Sequence, residues 1–368
     1  MIPRIFATLL VLVSLAAGVA SSASAAPAPA GDVPVFAYYY IWFNPTSWQR
    51  AKVDYPLIGR YSSDEREVMR QHIEWAKQAG INGFIVSWKS TETNNRRLGR
   101  LIEVAEEENF KLAVIYQGLD FSRQPLPAAR VADDFDFFTR RYSKSKVFNA
   151  YEKPLMIWSG TWKFSREQIA NVVTPRRNKL LILATEKDVK GYARIADLVD
   201  GDAYYWSSVN PDTYPDYVGR LRQMAQVIHA RQGLWIAPAA PGFDARLVGG
   251  TSAVNRKNGD TLRKEYNAAV SASPDAIGLI SWNEFSENTH IEPSVRYGSR
   301  FLEVLADIRG AKAPKVEIFD SSEPATSAKG YGPVVLGAFV LIVLTAAVFL
   351  LRRPSRRPRP KRPVGDRS

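Results

Sequence analysis

The feature that most constrains the fold is an alternation of two patterns, repeated eight times between about residues 33 and 310. Short apolar runs rich in Val, Ile, Tyr and Trp alternate with longer amphipathic stretches. The runs predict strands at 35–41, 83–88, 111–118, 154–160, 180–186, 202–208, 234–240 and 276–282. The stretches between them predict helices at 64–80, 94–110, 127–143, 165–177, 188–199, 213–232, 260–273 and 297–309.

Continuous apolar strands that are covered by helices are typical of a parallel sheet, because both faces of such a sheet are buried. Eight strand–helix units in about 280 residues predict an α/β fold, a (β/α)8 TIM barrel. An open doubly wound sheet is the alternative. Its usual glycine-rich phosphate loop is missing, since the first strand runs into the sequence WFNP at 42–45. The barrel is therefore favoured, and its chemistry is expected at the carboxyl ends of the strands.

Aromatic side chains recur at the ends of the predicted strands. An aromatic face suits a sugar ring, whose C–H faces are apolar and whose rim carries hydroxyls. Large side chains also fill the layers of a barrel, so either role fits any single one of them. Their recurrence at strand ends favours an open cleft that binds a glycan. The aromatic residues predicted to contact the substrate are Tyr39, Tyr40, Trp42, Trp88, Tyr116, Tyr205 and Trp206.

Three carboxylates and an amide follow the eighth strand directly, in the sequence SWNEFSENTHIEP at 281–293. Glycoside cleavage needs a proton donor for the leaving oxygen and a second carboxylate at the sugar. Glu284 and Glu287, three residues apart, are therefore the predicted catalytic pair. The alternative is that Glu284 pairs with a barrel arginine such as Arg246 and only holds the loop.

The same segment resembles the signature of the endo-α-mannosidase and endo-α-mannanase family of glycoside hydrolases, family 99. The similarity continues in AYYYIWFNP, IGRYSSDEREVMRQHIEWAKQAGINGFIVSW, PGFDAR and NRKNGDTLRKEYNAAVSASPDAIGLISWNE. The resemblance implies a (β/α)8 barrel, no metal, and cleavage with retention of configuration through a 1,2-anhydro sugar. It also implies that Glu284 takes the proton of the sugar 2-hydroxyl. Glu287 would protonate the departing oxygen and later activate water.

Two positions depart from the family pattern. The family has a His-x-Glu-Pro run after the third strand, where this chain reads IYQGLD, so Gln117 or Asp120 would replace a substrate-holding carboxylate. The family often has Gly-Thr-Gln where this chain has Asn-Thr-His at 288–290. A sister group of family-99-like domains, linked to polysaccharide loci, shares the Asn-Glu-x-x-Glu signature. The remaining predicted substrate contacts are Gln117, Arg246, Asn283, His290 and Glu292.

Composition excludes several other chemistries. The chain has no Cys, which excludes disulfides and thiolate metal sites, and its three His are scattered. No metal or other cofactor is therefore expected. The formal net charge of +12 comes largely from residues 352–368, which hold eight basic residues and one acidic residue. Because this excess lies in a short tail, nucleic acid is not an expected partner.

The two ends predict export and a membrane anchor. Residues 1–25 begin with a basic residue, continue with an apolar stretch and end in Ala-Ser-Ala, as a secretory signal peptide does. Residues 332–351 carry no charge and are long enough, at about 1.5 Å per residue, to cross a bilayer. The basic tail 352–368 is expected to stay cytoplasmic. The domain at 26–310 and a stalk at 311–331 then lie outside. The absence of an N-x-Ser/Thr sequon with x other than Pro, together with the absence of Cys, favours a bacterial envelope. An uncleaved anchor and a buried core helix are the alternatives for the two segments.

Three functions remain open for such a chain. The first is a cell-surface glycoside hydrolase that acts on an α-linked, mannan-like polysaccharide or oligosaccharide. The second is a surface protein that binds glycans without cleaving them. The third is a transglycosylase that uses the same carboxylates to remodel envelope polysaccharide. The presence of both Glu284 and Glu287 favours an enzyme, because binding needs aromatic and amide groups more than an acid.

Overall fold

The computed structural model describes residues 33–316, in which eight parallel strands alternate with eight α-helices. The barrel strands are β1 (Val35–Tyr40), β2 (Gly83–Trp88), β3 (Lys111–Gln117), β4 (Leu155–Ser159), β5 (Leu181–Leu183), β6 (Gly201–Ala203), β7 (Leu234–Ala239) and β10 (Ala276–Leu279). Two short strands, β8 (Phe243–Asp244) and β9 (Ala253–Val254), form a separate antiparallel hairpin after β7. All eight predicted strands are confirmed.

The eight predicted helices are also present, with shorter ends. They are α1 (Arg66–Gln78), α2 (Glu92–Glu107), α3 (Ala128–Arg141), α4 (Arg166–Val173), α5 (Val189–Ala193), α6 (Tyr217–His229), α7 (Asp260–Val270) and α8 (Arg300–Arg309). The largest proportional difference is α5, which is a single short helix where the sequence predicted 188–199.

The eight strands close into a barrel. Their order in the sheet is β5-β4-β3-β2-β1-β10-β7-β6, and every neighbouring pair is parallel. A parallel bridge between Ala184 and Asp202 joins the two ends of this order, with the Ala203 N–H donating to the Ala184 carbonyl at 2.9 Å. The predicted (β/α)8 barrel is therefore confirmed, and the open sheet is excluded.

Successive side chains on each strand separate into two apolar layers. On β1, the side chains of Phe36, Tyr38 and Tyr40 belong to the inner layer, together with Ile115 and Ile157 from other strands. The intervening side chains of β1 belong to the layer between the strands and the helices. Because every residue of β1 and β2 is buried, both layers are packed, as expected for a barrel covered by helices.

Several predicted segments lie outside the described residues. These are the signal peptide 1–25, residues 317–331 of the stalk, the transmembrane segment 332–351 and the tail 352–368. Residues 311–316 carry no helix or strand. Among residues 33–316, no helix is long and apolar enough to cross a membrane.

Candidate active site

The segment 281–292, here called the carboxylate loop, begins just after β10 and folds back on the end of that strand. The peptide between Ile280 and Ser281 is cis, and the Ser281 N–H donates to the Thr289 carbonyl at 2.9 Å. The Ser281 hydroxyl accepts from the Glu284 N–H at 2.8 Å. The Ile291 N–H closes the loop by donating to the Ser281 carbonyl at 3.0 Å. The loop is thereby held at the carboxyl end of the barrel strands, where this fold carries its chemistry.

Asn283 joins the carboxylate loop to the end of β1. Its Oδ1 accepts from the Tyr40 N–H at 2.8 Å, and its Nδ2 donates to the Tyr40 carbonyl at 3.0 Å. The amide therefore pairs with both backbone groups of one residue, much as a neighbouring strand would. Asn283 was predicted to contact the substrate, but its side chain is fully buried and used in this pairing.

Glu284 projects into the mouth of the barrel from a buried position. Its Oε1 accepts from the Ser286 N–H at 2.8 Å. Burial raises the pKa of the Glu284 carboxyl, and the negative charge of Glu287 raises that pKa further. Arg246, the barrel arginine considered as a partner, pairs instead with Asp244 at 2.8 Å. The alternative in which Arg246 neutralises Glu284 is therefore wrong.

Glu287 lies on the same loop and is only partly buried. Burial raises the pKa of its carboxyl, while the positive charge of Arg123 lowers it. Its backbone carbonyl accepts from the Asp244 N–H at 2.7 Å, which joins the β8–β9 hairpin to the carboxylate loop. The two glutamates are thus brought to one place, close enough for the charge of Glu287 to raise the pKa of Glu284.

Two tyrosines line the same mouth. The Tyr40 and Tyr205 hydroxyls are 2.7 Å apart. Burial raises the pKa of both phenols, and the charges of Glu284 and Glu287 add to this effect, so both remain protonated donors. The ring of Trp42 stacks on Tyr40 with centroids 4.3 Å apart and is 44% exposed. These three predicted contacts are placed where a substrate could reach them.

Four other predicted contacts lie elsewhere. Tyr39, Trp88 and Tyr116 point away from the barrel interior into the layer beneath the helices, where each is fully buried. Trp206 packs beneath α6, with its ring 4.9 Å from that of Tyr217. The prediction that these four contact the substrate is corrected. Each side chain lies next to an inward-facing residue in the sequence and therefore faces the helices instead.

Gln117 and Asp120 were candidates to replace the family's carboxylate after β3. Gln117 is half-buried at the end of β3, and its Nε2 donates to the Ser87 hydroxyl at 3.0 Å, which leaves it at the rim of the barrel. Asp120 instead caps its own turn, because its Oδ1 accepts from the Ser122 and Gln124 N–H groups at 2.8 Å. Gln117 is therefore placed at the rim of the barrel, while one oxygen of the exposed Asp120 is used in its own turn.

His290 and Glu292 lie behind the mouth rather than in it. The His290 ring stacks on Phe285 with centroids 4.0 Å apart, and its Nε2 lies 3.1 Å from Asp54 Oδ2. Burial lowers the pKa of His290 to about 3, so its ring is neutral. Glu292 is enclosed by His72 and Tyr61. The prediction that either residue contacts the substrate is corrected, because both side chains are fully used inside the protein.

Sequence reasoning missed two cations near the carboxylates. Lys52, on the loop after β1, is half-buried, and its Nζ lies 3.4 Å from the Ser286 hydroxyl. Its charge lowers the pKa of Glu284, and Arg123, on the loop after β3, does the same for Glu287. No local pattern marks either residue, because isolated basic residues are common in loops. Among residues 33–316, no group of three or more His, Asp or Glu side chains is placed to hold a metal.

The family is identified by comparison with known proteins. The model of glycosyl hydrolase family 99 matches residues 44–307 of the 368. The chain belongs to this family. A structure of a family-99 endo-alpha-mannosidase from Bacteroides thetaiotaomicron has the same fold, with a TM-score of 0.65 and 19% identity. That match covers 76% of this chain and 98% of the other.

Two curated relatives match this chain over part of their length. The human protein named glycoprotein endo-alpha-1,2-mannosidase-like protein is 23% identical over 269 residues, which cover 66% of this chain and 57% of the relative. The rat protein named glycoprotein endo-alpha-1,2-mannosidase is 21% identical over 263 residues, covering 66% and 56%. The match therefore spans a little over half the length of these relatives.

Proposed function

We propose that this family-99 chain is a glycoside hydrolase that cleaves α-linked, mannan-like glycans with retention of configuration. The observation that carries the proposal is the pair Glu284 and Glu287 at the mouth of the barrel, with the pKa of each carboxyl raised. A raised pKa suits a carboxyl group that must exchange a proton near neutral pH. Family membership supports hydrolysis, and the names of the curated relatives support an α-mannoside substrate.

In the first step, Glu284 takes the proton of the sugar 2-hydroxyl. The oxygen at C2 then attacks C1 and forms a 1,2-anhydro ring. The bond from C1 to the leaving oxygen breaks as Glu287 gives that oxygen a proton. Both carboxylates act as proton-transfer groups, and neither forms a bond to the sugar.

In the second step, Glu287 takes a proton from a water molecule, whose oxygen attacks C1 and opens the anhydro ring. Glu284 returns its proton to the oxygen at C2. Two successive inversions at C1 leave the configuration retained, and both glutamates regain their starting protonation. The hydroxyls of Tyr40, which is buried, and of Tyr205, which is partly buried, are neutral. Because one of these hydroxyls donates to the other, one proton remains free to donate to a sugar oxygen in this mouth.

The proposed roles require the starting proton on Glu287. In the empty mouth, desolvation favours a proton on Glu284, because it is the more buried of the two. A bound sugar changes this balance, since its 2-hydroxyl donates a hydrogen bond to ionised Glu284 and stabilises that form. Substrate binding therefore moves the shared proton to Glu287.

Two other functions use the same mouth. A transglycosylase differs only in the acceptor that opens the anhydro sugar. A protein that binds glycans without cleaving them would need Tyr40 and the exposed face of Trp42 but not two carboxylates with raised pKa values.

We also propose that residues 1–25 direct export and that 332–351 anchor the domain outside the cell membrane, as the sequence of both segments predicts.

The proposal is tested with the full-length chain on a panel of α-linked polysaccharides, followed by product analysis. Glu284→Gln and Glu287→Gln are each expected to lower activity by about 10²–10⁴ or more, the usual contribution of general acid–base groups. Glu287→Gln should be partly rescued by a substrate with a good leaving group, which needs little protonation. Glu284→Gln should not be rescued, because the 2-hydroxyl proton must still be removed.

The matched control is Glu152→Gln, which changes an exposed glutamate in the turn that precedes β4. It should leave activity on every substrate unchanged. A 2-deoxy or 2-O-methyl substrate should be inert, and its cleavage at an ordinary rate would reject the anhydro route. Normal turnover by both carboxylate variants would reject the catalytic assignment and favour the binding protein. Transfer of the sugar to added acceptors in place of water would identify a transglycosylase.

A further inference from the structure

A chain of buried hydrogen bonds runs behind the carboxylate loop and ends on the carboxylate of Glu292. The Tyr61 hydroxyl lies 2.9 Å from Glu292 Oε2, and His72 Nε2 lies 3.0 Å from Oε1. On its other side, the Tyr61 hydroxyl lies 3.1 Å from Asn283 Nδ2. The least buried of these four side chains is only 3% exposed. The Tyr61 hydroxyl therefore links Glu292 to Asn283, the residue that precedes Glu284.

The direction of each hydrogen bond follows from the chemistry of its partners. The Tyr61 hydroxyl donates to Glu292 Oε2, and burial together with the negative charge of Glu292 raises the pKa of that phenol. His72 donates to the other carboxylate oxygen, which can only accept. His72 then carries its proton on Nε2, and its Nδ1 accepts from the Tyr39 hydroxyl at 3.0 Å. Because the Tyr61 proton is committed to Glu292, the Tyr61 oxygen can only accept, and it does so from the amide of Asn283.

This direction agrees with the orientation that the Tyr40 backbone requires of the Asn283 amide. With Nδ2 turned toward Tyr61, Oδ1 is left to accept from the Tyr40 N–H, and Nδ2 also reaches the Tyr40 carbonyl. A reversed amide would place two acceptors or two donors together at each of these contacts. The Tyr40 backbone therefore sets the orientation of the amide, and Tyr61, held by Glu292, supplies a third contact that anchors it.

We propose that Glu292 is a positioning residue, which acts through Tyr61 and Asn283 to fix the place of Glu284 at the mouth of the barrel. Its effect on catalysis rests on the proposed function, whereas its effect on the Glu284 carboxyl can be measured without turnover. Glu292 does not contact the substrate, because the protein encloses its side chain on all sides.

Two substitutions interrupt the chain at different points. Tyr61→Phe removes only the hydroxyl and leaves the aromatic ring that packs on Trp48 and Phe43. Glu292→Gln keeps the shape of the side chain but offers an N–H group where Tyr61 and His72 both donate. One of these two bonds must then break or reverse, and when it is the Tyr61 bond, the Asn283 amide loses the acceptor that Glu292 holds in place.

The matched control is Asp134→Asn in the outer layer. Asp134 is also a buried carboxylate that accepts from a tyrosine hydroxyl, that of Tyr116 at 2.9 Å, but it lies on α3. It therefore reproduces the loss of a buried carboxylate–tyrosine bond away from Glu284. If Glu292 only stabilises the fold, all three variants should behave alike once they are folded.

The experiment uses the full chain in detergent with ¹³C-labelled glutamate carboxyl groups, and the Glu284 signal is assigned from Glu284→Gln. The groups whose charges act on this carboxyl are Glu287 and Lys52, and both are retained. In Tyr61→Phe and Glu292→Gln, the pKa of Glu284 is expected to rise by about half a unit or more. The reason is that a displaced Glu284 loses the Ser286 N–H, which stabilises its ionised form. Asp134→Asn should leave this pKa unchanged.

Kinetics supply the second measurement. In both network variants, kcat is expected to fall about tenfold or more while KM changes less than about threefold, and the acid limb of the pH profile should follow the Glu284 pKa. A folded Tyr61→Phe with an unmoved Glu284 pKa and normal kcat would overturn the positioning role. A shifted pKa in a chain that hydrolyses no glycan would leave that role standing and reject the proposed function instead.

Discussion

At the scale of single residues, the protonation of the two carboxylates depends on the two cations beside them. Lys52 lowers the pKa of Glu284, and Arg123 lowers the pKa of Glu287, each against the larger effect of burial. The proposed roles need Glu284 ionised and Glu287 protonated. In the substrate complex, where the proton lies on Glu287, the pKa of Glu284 therefore sets the acid limb of the pH profile of kcat, and that of Glu287 sets the alkaline limb.

Replacing each cation by methionine should move one limb only. In Lys52→Met the pKa of Glu284 rises, so the acid limb moves to higher pH. In Arg123→Met the pKa of Glu287 rises, so the alkaline limb moves to higher pH. Both shifts should be a few tenths of a unit to about one unit, since these cations are half-buried or exposed. The control Arg166→Met, whose residue pairs with Asp197 on the outer surface, should move neither limb.

His290 gives a prediction about stability. Burial lowers its folded-state pKa to about 3, and the positive charge of Arg256 acts in the same direction. The pKa of an unfolded His is about 6.5. Above pH 6.5 the ring is neutral in both states and contributes nothing. As the pH falls below 6.5, only the unfolded chain binds the proton, so stability is lost down to the folded pKa.

The free energy of unfolding should therefore fall by about 1.4 kcal/mol per pH unit between pH 6 and 4 because of this one residue. In His290→Asn, which cannot bind a proton in this range, the slope should be shallower by that amount, whatever the loss at pH 7. Denaturant titrations at several pH values measure the slope. The matched control is His229→Asn, a partly exposed histidine on α6. An unchanged slope in His290→Asn would contradict the neutral buried ring.

At the scale of elements, the strands were predictable and the direction of their side chains was not. A strand in this barrel is buried on both faces, so its sequence is a continuous apolar run without the alternation that would reveal the inner face. The run Tyr38-Tyr39-Tyr40 shows the difficulty, since three identical side chains alternate between two layers. The hairpin of β8 and β9 was missed because each of its strands has only two residues.

The correction at Trp88 can be tested against Trp42. Trp88 is fully buried, and its Nε1 donates to Asn95 at 3.0 Å, so Trp88→Ala should cost about 3–5 kcal/mol of stability. Trp88→Phe, a milder change, should leave KM for a glycan unchanged. Trp42→Ala should cost less than about 1 kcal/mol but raise KM severalfold, because the ring is exposed beside Tyr40. Thermal unfolding and steady-state kinetics of the three variants separate a role in stability from a role in substrate binding. A raised KM in Trp88→Phe would show that Trp88 contacts the glycan after all.

At the scale of the whole molecule, local sequence located the catalytic pair but not its support. Glu284 and Glu287 were found because both lie within one stretch of four residues that closely follows a strand. The groups that hold them come from distant parts of the chain. His72 is 220 residues from its partner Glu292, and Tyr61 is 222 residues from Asn283. Such pairs form only when the barrel closes and brings α1 against the loop after β10, so no spacing in the sequence marks them.

The last prediction concerns the chain as a whole in the cell. The apolar segments near the two ends predict that residues 26–310 lie outside the membrane and that 352–368 lie in the cytoplasm. Protease added to intact cells should therefore release a fragment that carries the barrel, cut within 311–331. A tag after Ser368 should stay protected until lysis.

Deleting 332–368 tests the anchor separately from export. The shortened chain should leave the membrane fraction and appear in the medium or periplasm, because the signal peptide still directs export while nothing stops transfer. Replacing only the basic residues of 352–362 by glutamine should weaken the retention of this end in the cytoplasm. The apolar segment 332–351 is unchanged by these substitutions. A barrel that is protected from protease in intact cells but digested after lysis would contradict the topology. It would also remove the reason to expect an extracellular glycan as the substrate, while leaving the assignments of Glu284 and Glu287 to be decided by their own variants.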